Sequence, residues 1–354
     1  MVAGATTHSR ETPSMTSAPS RTRAYVSCAD SREILVLELD SATGDLALIQ
    51  KVPAGGMVMP LAVSADRRTL FAALRSIPYQ VASFAIDPSS GHLRPLGSGP
   101  LPDSTPYIAV ERSGRYLFSA SYSGHKIGVS AIGSDGVVAA AHQVIDSEAN
   151  AHAIVPDAGG LHVFVPCLGG ACIMQWKFDA ADGTLTPNQP DRVAQKPGAG
   201  PRHFVFHPGG RHAYLLNELD ASVTVFAYQA DTGLLAQLQN LSALPPGFAG
   251  QPWAADLHLT PDGRYLYASE RRSSTLAMFA VGSEGLLTHI DNCATEREPR
   301  GFAIAPDGRT LLVVGQASNS MTSYAIDSRS GALRELKKYA MGKNPNWVEI
   351  VTLP

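Results

Sequence analysis

The feature that most restricts how this 354-residue chain can fold is a repeat with a period of about 47 residues. Two short patterns carry it. The first, P-D-G-R-x-L, is intact in "TPDGRYLYASE" (260–270) and "APDGRTLLVVG" (305–315), and degenerate in "SADRRTLFAAL", "ERSGRYLFSAS" and "HPGGRHAYLLN". The second, D-x-x-x-G-x-L, recurs as "DSATGDL", "DPSSGHL", "DAADGTL" and "DSRSGAL", with looser copies "GSDGVV", "DTGLL" and "GSEGLL", which makes seven. Asp and Gly in such loops satisfy local backbone groups and supply positive φ, so each copy predicts a hairpin turn. Between the turns lie β-branched and aromatic segments such as "ILVLELD", "QVASFAID" and "SVTVFAY". No long segment keeps a helical apolar period free of Gly and Pro, which argues against alternating helices and strands.

Innermost strands are expected to begin near Pro60, Pro106, His152, Pro201, Trp253, Pro299 and Pro345. Seven units of this length, each with room for four strands, predict an all-β fold: a seven-bladed β-propeller of four-stranded antiparallel blades. The first unit, "AYVSCADSREILVLELD", has no inner strand of its own, and "NPNWVEIVTL" is an inner strand with no blade behind it. Pairing 347–351 with the sheet begun at Ala24 would close the ring and leave no open edge. Residues 23–354 are therefore expected to form one domain, and residues 1–22, which lack the apolar stretch of a secretory signal, a disordered tail.

The charge balance, 28 basic against 31 acidic residues, provides no general field for nucleic acid or an anionic membrane, so any anion site must be local. No run of about 18 apolar residues is present to span a bilayer. The four cysteines, Cys28, Cys167, Cys172 and Cys293, form no C-x-x-C pair and read as buried small hydrophobes. Cys167 and Cys172 are five apart, so along one extended strand they would face opposite ways. These features suggest a soluble protein of the cytoplasm.

Polar interruptions of the apolar strands mark candidate chemistry. They fall in "NAHAIV" around His152, "GPRHFVFHP" around Arg202 and His203, "NELD" around Glu218, "WAADLHLTP" with Asp256 and His258, and "SERRSS" around Arg271. Strand ends of adjoining blades converge on one channel mouth, so these segments, from the fourth, fifth and sixth units, could meet. Each also has an architectural reading. His162, His207, His212, His258 and His289 could be hydrogen-bonded fillers, Asp256 could brace a turn, and Arg202 could pair with Glu218 for structure alone. There is no nucleophile elbow, P-loop or H-E-x-x-H, and "KPGAGPRHF" lacks dinucleotide-binding spacing. What is left is a His, Arg and Glu group suited to moving protons beside a carboxylate, a phosphate or a developing oxyanion.

The segments "GPRHFVFHPGGRHAYLLNELDASVTVF", "WAADLHLTPDGRYLYASERRSSTLAMFAV" and "PRGFAIAPDGRTLLVVGQ" closely resemble the seven-bladed lactonase family, which contains propeller-type 6-phosphogluconolactonases and 3-carboxy-cis,cis-muconate lactonizing enzymes. The resemblance covers nearly the whole repeat region. It implies a catalytic group of His152, Arg202, Glu218 and Arg271, with His203, Asp256, Arg300 and Gln316 as neighbouring substrate contacts. Around His152 the turn "PDAGGLH" is shifted from the usual P-D-G position, a departure from the family pattern. The implied activity is hydrolysis of an anionic small-molecule lactone, 6-phospho-D-glucono-1,5-lactone, with His152 or Glu218 as general base and Arg202 and Arg271 on the anionic group or the oxyanion. The concentration of Arg and His leads us to expect no metal and no cofactor. Two alternatives remain at this level: cycloisomerisation of carboxymuconate or hydrolysis of another lactone, and a non-catalytic binding propeller. Oligomeric state is not legible.

Overall fold

The computed structural model describes residue 1 and residues 21–353. Its 28 strands form seven four-stranded antiparallel sheets around a central channel, the predicted β-propeller. Blade 1 combines the innermost strand Pro345–Thr352 with Thr22–Cys28, Glu33–Leu39 and Leu46–Pro53. The expected closure is present: Ala24 pairs with Ile350 and Val26 with Val348. The innermost strands of blades 2 to 7 are Val58–Val63, Tyr107–Val110, Val155–Pro156, Pro201–Phe206, Ala254–Leu259 and Pro299–Ile304. Most of the expected tail, residues 2–20, lies outside the described residues, and Thr22 already belongs to blade 1 through Leu39 and Thr352.

Alternation of side chains along each strand gives every sheet two apolar faces, one for each neighbouring blade. Tyr25, Ile34 and Val36 of blade 1 pack with Leu61, Leu70 and Phe84 of blade 2, while Ala24, Val26 and Leu35 pack with Leu312, Val314 and Met321 of blade 7. Each such buried Leu, Val or Phe contributes about 1.5–3 kcal/mol. The repeated Asp-to-Gly turns join third and fourth strands; in four of them the Gly amide donates to the Asp carbonyl, as Gly91 does to Asp87 at 2.8 Å. Carbonyls of these turns in turn accept hydrogen bonds from buried tyrosines of the preceding blade: Tyr25 to Gly91, Tyr214 to Gly285 and Tyr267 to Gly331, at 2.8–2.9 Å.

One expectation is corrected. Cys167 and Cys172 do not lie on one strand; residues 168–171 reverse the chain, and the two cysteines are opposite partners on adjacent antiparallel strands of blade 4. Cys28, Cys167 and Cys172 are buried as read from the sequence, whereas Cys293 is only half-buried.

Two sets of equivalent positions build the channel mouth. Residues immediately after the second strand of each blade form one set: Ala29, Arg75, Tyr122, Leu168, Glu218, Arg271 and Gln316. Their backbone amides are tied to the segment entering the innermost strand, as in Arg75 to Met57 O (2.8 Å), Glu218 to Gly200 O (2.7 Å) and Gln316 to Glu298 O (3.1 Å). The second set consists of β-bulges. In blade 5 Pro201 pairs with Asn217 and His203 with Leu216, so Arg202 is the extra residue; Arg300 and Asn346 occupy the same place in blades 7 and 1. In blade 4 the Ala151–Cys167 bridge is offset by one residue from the Val155–Phe164 pair, which puts the same irregularity next to His152. A bulge turns a side chain out of the ladder. Each of these four residues follows, by two positions, a residue in the left-handed region: Asn150, Gly200, Glu298 and Asn344, with φ of 52–77°. At Gly200 the conformation requires glycine, because a Cβ would also lie 2.6 Å from Leu219 Cγ.

Candidate active site

A cavity of about 420 Å³ opens at this mouth, lined by Arg75, Tyr79, Tyr122, His152, Glu218, Trp253, Arg271 and Arg300 among others. Of the predicted catalytic group, His152, Glu218 and Arg271 line it directly, and Arg202 is buried against it through its ion pair with Glu218. Arg300 also lines it, while Gln316 lies in an adjoining depression that shares Trp253 and Arg300. There Gln316 Nε2 donates to Asn344 Oδ1 at 2.7 Å. His203 and Asp256 do not line the cavity; they are buried in the channel, where His203 stacks edgewise near His152, Tyr107 and Trp347. A larger surface cavity, about 740 Å³ near Arg21, Asp40 and Arg309, contains none of these groups.

Glu218 is the hub. Its Oε2 accepts from Arg202 Nε at 2.7 Å and lies 3.0 Å from Arg271 Nη2, while its Oε1 accepts from Trp253 Nε1 at 3.1 Å. Arg202 also donates to the Ala255 carbonyl, and Arg271 to the carbonyls of Trp253 and Ala254, both at 3.0 Å. The Arg271 guanidinium sits 3.7 Å above the Trp253 ring. Burial pushes the Glu218 carboxyl up, but Arg202 and Arg271 outweigh it and hold it below the usual carboxylate range. Glu218 is therefore an ionised acceptor saturated with donors, and its basicity is weak.

The balance of charge is the second property of the site. Four guanidinium groups, those of Arg75, Arg202, Arg271 and Arg300, stand around the one carboxylate that lines the cavity. Arg202 and Arg271 are taken up by Glu218. Among the described residues neither Arg75 nor Arg300 has a carboxylate partner, although burial and the neighbouring guanidiniums of Arg202, Arg271 and Arg75 work against the charge on Arg300. Burial likewise disfavours the charge on Arg75. A guanidinium does not give up its proton under these conditions, so an anion entering the cavity would relieve the accumulated charge where neutralisation does not.

Burial, Arg202 and His203 hold His152 well below the ordinary imidazole range, so it is neutral at pH 7. Its Nδ1 is buried without a hydrogen-bond partner. A neutral imidazole at the wall of a cationic cavity can accept a proton from water or a hydroxyl.

Sequence reasoning found Arg300 but missed Arg75, Tyr122 and Trp253 as cavity residues. Their signal was positional: Arg75 and Tyr122 occupy in blades 2 and 3 the place that Glu218, Arg271 and Gln316 occupy in blades 5, 6 and 7. The other histidines named in the sequence do not reach the cavity. His162 is buried beside Asp157 and Tyr228, His207 accepts from Gly209 N, and His258 pairs with Asp256.

Comparison with known proteins places this architecture among relatives. The family model described as "Lactonase, 7-bladed beta-propeller" matches residues 20–350. The chain is 42% identical over 328 residues to a 6-phosphogluconolactonase of Serratia proteamaculans, covering 92% of this chain and 98% of the relative. It is 39% identical over 330 residues to a 6-phosphogluconolactonase of Pectobacterium carotovorum, covering 93% and 98%. Among solved structures it is similar to a periplasmic gluconolactonase of Pseudomonas aeruginosa, with a TM-score of 0.87 and 30% identity over 95% of this chain and all of that one. Closed seven-blade topology, a match from end to end of the ring and near-complete coverage of both partners agree, and the chain belongs to the seven-bladed β-propeller lactonases.

Proposed function

We propose that this protein hydrolyses 6-phospho-D-glucono-1,5-lactone to 6-phosphogluconate, with His152 as general base and Arg75 and Arg300 as the phosphate site. The observation that carries the reading is the pair of guanidiniums, Arg75 and Arg300, that line the cavity without a carboxylate partner among the described residues, beside a neutral His152. The relatives named 6-phosphogluconolactonase support the choice of lactone.

In this mechanism water attacks the lactone carbonyl carbon as His152 takes its proton. Negative charge develops on the carbonyl oxygen and is met by Arg271, which Glu218 and the Trp253 ring hold in place. Collapse of the tetrahedral intermediate breaks the bond to the ring oxygen, which leaves with the proton from His152. The base contributes about 10²–10⁴-fold and the preorganised cation about 10²–10³-fold. Glu218 keeps Arg202 and Arg271 apart from the phosphate and does not itself take the proton. Gln316 faces the outer end of the substrate from the adjoining depression.

The same reading puts the protein in the cytoplasm, supported by four free thiols, two of them opposite each other on paired strands; cell fractionation tests it. Among the described residues no helix is long and apolar enough to cross a membrane.

The functional test compares initial rates on 6-phosphogluconolactone, unphosphorylated gluconolactone and carboxymuconate, each corrected for the uncatalysed reaction. The phosphorylated lactone should be preferred at least ~100-fold, and Arg75→Gln and Arg300→Gln should each lower that preference by ~10-fold, the worth of about 1.4 kcal/mol of anion binding. Equal rates on both lactones, or a preference untouched by both substitutions, would remove the reading.

A further inference from the structure

Beside His152, outside the cavity lining, a line of buried polar groups runs among the channel aromatics. His203 Nδ1 lies 2.8 Å from Asp256 Oδ1. Asp256 also accepts from the amides of Leu257 at 3.0 Å and Phe302 at 3.3 Å, and its Oδ2 lies 3.1 Å from His258 Nε2. Burial opposes ionisation of Asp256, but His258 and His203 prevail and keep it a carboxylate. Burial and Arg202 bring His203 down to about 4 despite Asp256, so its ring is neutral at pH 7.

These facts fix a tautomer. An ionised carboxylate only accepts, so the single ring proton of His203 sits on Nδ1 and its Nε2 is bare. That Nε2 is buried and has no partner. The neighbouring imidazole, His152, has its centroid 5.5 Å away, and its buried Nδ1 lacks a partner as well. Two orphaned nitrogens on adjacent rings are costly apart and complementary together. The separation accommodates an N–H···N bond after a modest ring rotation, or one buried water between the rings.

We propose that Asp256 and His203 are positioning residues that set the tautomer of His152: His203 Nε2 accepts the Nδ1 proton of His152, directly or through one water, and leaves His152 Nε2 bare as the basic atom. Asp256 and His203 thus act through His152 and touch no substrate. When His152 takes the proton of water at Nε2, the new charge is stabilised along the line that ends on the Asp256 carboxylate. The groups facing His152 are Arg202, Arg271, Arg300, Glu218, Tyr122 and His203; those facing His203 are Arg202, Tyr107, Trp347 and Asp256, with His258 on the far side of Asp256. Of the other charges around His152 only the Glu218 carboxylate is negative, and Arg202 and Arg271 take it up, which leaves this line as the route from His152 to a negative partner. The proposal rests on His152 being the base, as argued above.

The test uses full-length protein labelled with ¹⁵N in its histidines. Ring ¹⁵N shifts at pH 7 should report the Nδ1–H form for both His152 and His203. Asp256→Asn should change the His203 and His152 tautomers and lower kcat by ~10²–10⁴-fold, with KM moving less than about threefold. A residue that served only to hold the fold would lower Tm and leave the His152 tautomer alone. Nε2–H on His152 in the unaltered protein overturns the proposal, as does an Asp256→Asn protein with unchanged tautomers and kcat. Should Asp256→Asn fail to fold, the tautomer of the unaltered protein decides by itself. If the tautomers are as stated but no lactone is turned over, the substrate reading falls and the positioning line stands.

Discussion

Arg202 is 1% exposed, while the Glu218 side chain, 13% exposed, keeps an edge on the cavity, so their ion pair is buried on one side and meets the cavity on the other. The architectural reading of this pair and the functional one are therefore both true: the pair exists, and it shapes the cavity. Glu218→Gln removes the one charge that balances Arg202 and Arg271. It should cost about 3 kcal/mol in urea unfolding, the scale for breaking a buried pair on one side. The kcat should fall too, because Arg271 loses the partner that aims it; unchanged stability would show that water reaches the pair. The acid limb of the pH profile follows from His152. Its folded pKa is depressed and the base must be unprotonated, so kcat/KM should stay level as pH falls through 6.5 and decline only below it. A decline centred at or above 6.5 would point to another base.

At the scale of the strand, the innermost strands are aimed by their entries. The left-handed residues at 150, 200 and 298 and the bulges that follow turn His152, Arg202 and Arg300 toward the mouth, while Asn346, in the equivalent place after Asn344, is buried and donates to the Ser27 and Val58 carbonyls. Glu298 adopts this conformation at a cost of about 1–2 kcal/mol that a glycine would avoid. Gly200→Ala should therefore cost about 1–2 kcal/mol and also lower kcat, because Arg202 is displaced. Tyr267→Phe, which removes the buried bond to Gly331, should cost a similar ~1–2 kcal/mol with kcat unaltered. Denaturant unfolding and steady-state rates on the two variants separate the effects. This contrast also explains what was readable in advance. The D-x-x-x-G-x-L turns and the prolines near the inner strands recur with a fixed period, so blade number and the positions of Arg202, Glu218 and Arg271 were legible. Arg75 was not, because "ALRSIPY" reads as a strand end with an ordinary surface arginine until its equivalence to Glu218 is seen. His203 and Asp256 were found, but their bond spans 53 positions, and their burial in the channel outside the cavity depends on bulges that local pattern does not reveal. The cysteine pair was misjudged because a four-residue reversal was taken for continuous strand.

At the scale of the whole molecule, the seam in blade 1 joins segments more than 300 residues apart; Thr22 Oγ1 and Thr352 Oγ1 lie 3.5 Å from each other. Removing residues 345–354 exposes the edge of Thr22–Cys28 and uncovers the apolar faces of Ala24 and Val26. Such a truncation should lose cooperative thermal unfolding and aggregate, as read by calorimetry and light scattering. A truncated chain that still melted in one sharp transition would mean that the ring holds with blade 1 reduced to three strands.

The seam also has a kinetic meaning. The cationic mouth draws on blades 2 to 7, and these take their final spacing only when the most distant contact in the sequence has formed. High contact order makes that event slow. A growing polypeptide on the ribosome, even with most of its sheets complete, thus carries the residues of the site but no working geometry. In refolding, recovery of turnover should trail recovery of β-sheet signal, so that the enzyme announces its own completion.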